Sequence, residues 1–142
     1  MLLDAVGQRL DTSVSALKKI AGAADFASAG MDIKSKGALP AAYVLPLAER
    51  ADANGLANAV SQRVEVRFGV ILAISNLRDA LGKNAQGDLA GLRTSVFAAL
   101  LGWQPDADHD PVTFGGGRLL QLQDGLLWWQ DEFVTAYYLR DS

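Results

Sequence analysis

Three groups of residues in this 142-residue chain could do chemistry: Gly115-Gly116-Gly117, the single histidine His109, and the Trp128-Trp129-Gln130-Asp131-Glu132 stretch. A glycine run can cradle phosphate. For that it must follow a strand and lead through Lys-Ser/Thr into a helix whose N-terminus meets the anion. Here Arg118 opens a strand pattern instead, so the glycines are expected to form a tight bend or bulge between loop and sheet. His109 stands between Asp108 and Asp110, and imidazole is both a metal ligand and a general base. The three lie side by side in one loop, with no second cluster to complete a coordination shell, so no metal site is expected. Asp131 and Glu132 are neighbours on a strand and therefore point to opposite faces, which rules them out as a paired-carboxylate site. Glu65, between Arg63 and Arg67, reads as a charge ladder on an exposed sheet face. A serine nucleophile would need a positioned base, and there is no glycine-serine elbow to present one. Catalytic, cofactor-binding and metal-ligating residues are all expected to be none.

Composition narrows the class. Half the residues are hydrophobic and the formal net charge is −3, with an isoelectric point near 5.0. That balance argues against the basic face of a nucleic-acid binder. Cysteine is absent, which excludes disulfides and thiolate chemistry. No apolar run is long enough for a membrane span, and MLLDAVGQRLD lacks the features of a signal peptide. The expectation is one soluble domain, residues 1–142, made in the cytosol.

The elements follow from periodicity. Leu3, Val6, Leu10, Val14 and Leu17 recur near a 3.6-residue period, interrupted by Asp11-Thr12-Ser13, so a first helix is expected to about Leu10. Helix or a short strand follows around Lys18–Ala21, then a second helix over Ala23–Ala29 ending at Gly30. Residues 31–40 form a polar connector. In QRVEVRFGVILAIS, residues 62–75, every even position from Val64 to Ile74 is apolar. Period two marks a strand, and its length marks a central one. AAYVLPLA, residues 41–48, is its expected partner. An Asn54-Gly55 turn would set Leu45 opposite Val64, Tyr43 opposite Val66 and Ala41 opposite Phe68. Pro46 makes this partner an edge strand or puts a bulge in it.

In residues 88–103, Leu89, Leu92, Val96, Ala99, Leu100 and Trp103 form one helical stripe, with Asp88 as cap, Gly102 at the end and Pro105 beyond. Asp124-Gly125 suits a two-residue turn that would pair Leu122 with Leu127, Leu120 with Trp129, and Arg118 with Asp131. The second strand continues through Phe133, Val134, Tyr137 and Tyr138. The resulting fold class is α+β: a mainly antiparallel or mixed sheet of about four strands, built from two hairpins. It packs against an amphipathic helix (88–102) and the N-terminal helices.

Adjacent strand residues face opposite ways, so Trp129 is expected inside, on the Leu127 face. Trp128 shares the other side with Gln121 and Gln130, covered either by an N-terminal helix or by another subunit. Aromatics beside polar groups are common interface anchors.

The order ALPAAYVLPLAERAD, QRVEVRFGVILAISNLRD, LRTSVFAALLGWQP and FGGGRLLQLQDGLLWWQDEFVTAYYLR resembles the tail terminator (tail completion) proteins of long-tailed bacteriophages and prophages. The similarity runs from about residue 20 to the C-terminus. Its marks are fold-bearing stretches rather than a binding site. The resemblance implies a small α+β subunit, with no catalytic residues, that forms a hexameric ring. The ring caps the head-proximal end of the tail tube, ends its polymerisation and meets the head connector or stopper protein. Its partners are then copies of itself, the major tail tube protein and that connector, with DNA passing through without sequence-specific contact and no membrane involved. Its place is the virion's head-tail junction, after assembly in the bacterial cytoplasm. The residues from Glu49 to Ser61 are the expected contact segment, with Asp52, Asn54, Leu56, Trp128 and Tyr138 as candidate contacts. Two other readings stand beside this one: another neck protein, stopper or adaptor, and a small nucleotide-binding enzyme using Gly115–Gly117.

Overall fold

A computed structural model describes residues 2–29, 39–75, 83–123 and 125–141. Eight elements run in the order α1 (Leu2–Ser13), β1 (Lys19–Gly22), α2 (Ala23–Ala29), β2 (Ala41–Ala51), β3 (Ser61–Ser75), α3 (Lys83–Leu100), β4 (Thr113–Gln123) and β5 (Leu126–Arg140). The five strands form one mixed sheet in the order β1-β2-β3-β5-β4. Only β1 and β2 are parallel; the other three pairings are antiparallel. The chain is thus α+β, with five strands rather than about four, because Lys19–Gly22 joins the sheet. No described helix is long and apolar enough to cross a membrane.

The alternation in residues 62–75 explains the architecture. The even side chains of β3, Phe68, Val70, Leu72 and Ile74, pack with Val6 and Leu10 of α1, Val96 and Leu100 of α3, and Phe133 of β5. This is the helix face of the sheet. Burial of large apolar side chains at about 25 cal/mol per Å² makes it the main source of stability. Arg9 Nε of α1 donates to Ala99 O in the last turn of α3 at 2.9 Å, a favourable place for a cation. On the opposite face, Ile71 and Ala73 pack with Tyr43 of β2 and Trp128 of β5. There Phe26 of α2 meets Tyr43 and Trp128 edge-on, with centroids 5.5 and 5.9 Å apart.

Several expectations are corrected. The first helix extends past Leu10 to Ser13, because Thr12 Oγ1 turns back to donate to Gln8 O at 2.9 Å instead of capping a new element. The third helix begins at Lys83, so Asp88 lies within it and is not its cap. The apolar stripe fixes which face is buried, not where a polar first turn starts. Gly102 does end the helical run, with φ +77, its N–H donating to Val112 O at 2.8 Å. Gly30, residues 31–38 and Asp124 lie outside the described residues.

The β2–β3 register differs most. Leu45 lies opposite Gly69, Tyr43 opposite Ile71 and Ala41 opposite Ala73. That is a shift of five residues from the Asn54-Gly55 hairpin register. Since five is odd, Tyr43 moves from the Val66 face to the Ile71 face. Residues 52–60 form a nine-residue connector instead of a tight turn, and Gly55 is not among the glycines with positive φ. Pro46 does mark a bulge: the register shifts between Pro46 and Ala48. Gly69 leaves room for the displaced Leu47, whose Cδ1 would stand 3.2 Å from a β-carbon there. β1 covers β2 only from Ala41 to Val44, so the rest of β2 is an edge.

Candidate partner-contact surfaces

The glycine run lies inside β4, not between a strand and a helix, so the P-loop arrangement is absent. The ladder to β5 shifts between Phe114 and Gly116, which makes Gly115 the extra residue of a bulge. Gly116 has φ +140, a conformation that suits glycine. Gly117 faces Asp131 across the ladder, and a β-carbon on it would come 2.6 Å from Asp131 Oδ1 and 3.0 Å from the Trp129 ring. A second shift, between Leu119 and Gln121, leaves Leu120 unpaired. The Leu122–Leu127 pair stands as expected and Gln121 meets Trp128, but Leu119, not Leu120, meets Trp129, and Arg118 meets Gln130 instead of Asp131.

Asp131 is fully buried. Arg93 Nε approaches its two oxygens at 3.2 and 3.0 Å, and Nη2 donates to Oδ1 at 2.9 Å. Trp129 Nε1 adds a third donor at 2.9 Å. The guanidinium lies 4.8 Å from the Trp129 ring, 5.1 Å from Phe97 and 5.9 Å from Phe114. The carboxylate is therefore occupied by protein donors, and Gly117 holds space for them. Sequence reasoning missed this cluster. Its signal was parity: Asp131 falls between Trp129 and Phe133 on the apolar side of β5. Glu132 does point the other way, toward Arg67 at 3.5 Å, and Arg67 Nε also donates to Glu65 at 3.0 Å. These contacts raise the Arg67 pKa, with the Glu65 hydrogen bond first.

His109 pairs with Asp106 rather than with its neighbours, Nδ1 to Oδ1 at 2.8 Å. That hydrogen bond, ahead of smaller effects, pulls the Asp106 pKa below its usual 3.8. Asp110 is engaged by Arg63 at 3.2 Å, its N–H donates to Ala136 O at 2.9 Å, and its carbonyl accepts from Thr135 Oγ1 at 2.6 Å. The loop is thus fastened along β5. Among the described residues no group of three His, Cys, Asp or Glu is placed to hold a metal.

The candidate contacts separate into two places. Asp52 N donates to Arg63 O at 2.9 Å, and Arg63 pairs with Tyr138. Asp52, Asn54, Leu56 and Tyr138 therefore gather at one end of the sheet. Asn54 organises the connector: Nδ2 donates to Leu56 O at 2.8 Å and Ala59 O at 2.7 Å, and Oδ1 accepts from Ser61 N at 2.8 Å. Leu56 at the tip is 51% exposed, and Tyr138 is 48% exposed beneath Arg140. Trp128 is at the opposite end, paired with Ala73, ten ladder steps or roughly 33 Å away. It is fully buried. Of its two expected covers, the N-terminal helix α2 is the one present, so its ring is not available as an interface anchor.

Residues 2–142 match the family model described as phage tail terminator protein. The chain belongs to that family, and so is a structural component of bacteriophage tails and of the virion. No curated protein matches it.

Proposed function

We propose that this protein works as a ring, six subunits around, that caps the head-proximal end of the tail tube. There it ends tube polymerisation and joins the tail to the head connector or stopper protein. The family match over residues 2–142 carries the reading. It is supported by the end of the sheet where the connector 52–60 and Tyr138 offer exposed apolar side chains on a long paired stem. Loops held on a rigid scaffold are where partner contacts concentrate. The whole chain acts as one domain, and its work is assembly rather than catalysis. The ring forms in the host cytoplasm and then stays in the virion. A net charge of −3 lets DNA pass through the opening without being gripped.

A reconstruction of the head-tail junction tests this reading. Six copies at the upper end of the tube are expected; any other number, or absence from that position, overturns it. If copies instead contact the connector without touching the tube, the stopper or adaptor reading takes its place.

A further inference from the structure

We propose that edge strand β4 of one subunit docks into the groove between α1 and β1 of the next copy. The proposal rests on the ring reading above and names the joint that would build it.

β4 is an open edge of the sheet. Natural edges are guarded by charge, proline or a covering element. Between Thr113 and Gln123 there is no proline, and Arg118 is the one charged residue. Phe114, Leu119 and Leu122 are each about half exposed on this strand. Their partners across the ladder, Phe133, Trp129 and Leu127, belong to the helix-face core, so these three lie on the helix face too. Such an edge is a template for strand addition.

The opposite edge of the sheet offers the complement. β1 is four residues long, and beside it lies a groove of about 750 Å³ with Ile20, Val44 and Pro46 among its apolar residues. Its rim carries Asp4, Gln8 and Asp11 of α1, one stripe of the helix. The groove, walled by α1, lies on the helix face. A subunit set beside β4 with its helix face on the same side therefore brings its groove to Phe114, Leu119 and Leu122. Arg118 pairs with Gln130, next to Leu119, and so points to the other face of the sheet; the contact with the groove is made by the apolar side chains alone.

Strand direction agrees. β1, β2 and β5 run one way, and β3 and β4 the other. A neighbour placed in the same orientation therefore meets β4 with an antiparallel strand, the more stable pairing. Because the two patches differ and occupy opposite edges, one copy cannot satisfy both by itself. The contact is head-to-tail and propagates until rotation closes a ring. The competing occupant is a second β4 in a two-fold dimer, which sets Arg118 near its own copy and leaves the groove empty.

The absence of cysteine permits a background-free test with a short bis-maleimide crosslinker. Leu122→Cys places a thiol on the strand. Gly7→Cys places one in the groove, where a β-carbon meets nothing closer than Ile20 at 3.9 Å. Circular dichroism establishes that each variant is folded. Mixing the two is expected to give a covalent dimer of twice 15.1 kDa, in at least about tenfold excess over either variant alone, as a head-to-tail joint requires. Leu122→Cys crosslinking chiefly to itself overturns the proposal in favour of the two-fold dimer. No excess of the mixed product over either variant alone also overturns it. In the double variant, a ladder of products ending at six supports joint and ring together. A ladder that passes six keeps the joint but sinks the six-fold reading. Six-fold particles without the mixed crosslink sink the joint alone.

Discussion

Gly117 stands where any side chain would displace the carboxylate of Asp131: a β-carbon there would lie 2.6 Å from Oδ1. The glycine thereby preserves the contacts that neutralise a buried charge. Removing the cation from a buried pair leaves the carboxylate uncompensated, which costs about 3–5 kcal/mol. Arg93→Ala should lower stability by that amount in a urea titration. Arg93→Lys should recover only a fraction, since an ammonium cannot reproduce the two-nitrogen contact while stacked on Trp129. Full recovery by lysine would show that only the charge matters.

Gly116→Ala tests the backbone instead. At φ +140 with open space around it, alanine should destabilise by more than about 1 kcal/mol through strain alone. ATP or GTP titration of the parent should show no saturable binding. Specific binding that this variant abolishes would revive a phosphate-cradle role for the run.

Phe68 is fully buried and stacks on Phe133 at 5.7 Å. Phe68→Ala should cost about 3–5 kcal/mol. By contrast, the Tyr43 hydroxyl is buried without a hydrogen-bond partner among the described residues. Tyr43→Phe should leave the unfolding midpoint unchanged or raise it slightly, because it removes an unsatisfied polar atom. A clear drop would reveal a partner for that oxygen.

The connector 52–60 can be shortened to a two-residue turn without touching either core. If it meets the tube or a neighbour, the folded variant should fail to complete tails. Normal tail completion by such a variant sinks the contact role.

Acid should loosen the 104–111 loop. The Asp106 pKa is depressed by its hydrogen bond to His109, so the carboxylate favours the folded loop above pH 3.8, its ordinary value. That contribution fades as pH falls through the lower folded value. The His109 ring resonances should report the change, and Asp106→Asn should abolish it.

β3 was legible because its alternation is unbroken, and the 88–103 stripe because its period is regular; both reflect one buried face. The β2–β3 register was not legible. Asn-Gly favours a tight turn locally, whereas here the Asn54 side chain binds backbone groups of Leu56, Ala59 and Ser61 across a longer connector. The β4 pairing was read correctly up to Gln121 and lost at the Leu120 bulge, since one extra residue changes which side chains meet without leaving a mark in composition. The Asp131 cluster needed both parity and a helix distant in sequence. The candidate contacts at Asp52, Asn54, Leu56 and Tyr138 share one end of the sheet because β5 pairs with β3 out of chain order, which sets Tyr138 opposite Arg63 beside the connector.

β5 runs beside β3 over the full length of both strands, Ser61 with Arg140 through Ser75 with Leu126. These partners are separated by roughly 50–80 residues of chain, a topology that slows folding because long loops must close first. While the ribosome is still making the protein, one long side of β3 has no mate, and VILAIS lies exposed to other nascent chains. The sheet can be completed only after nearly the whole polypeptide has emerged. Premature termination anywhere before β5 should therefore yield material prone to aggregate rather than a smaller working subunit. The same delay ties the supply of competent subunits to full-length synthesis.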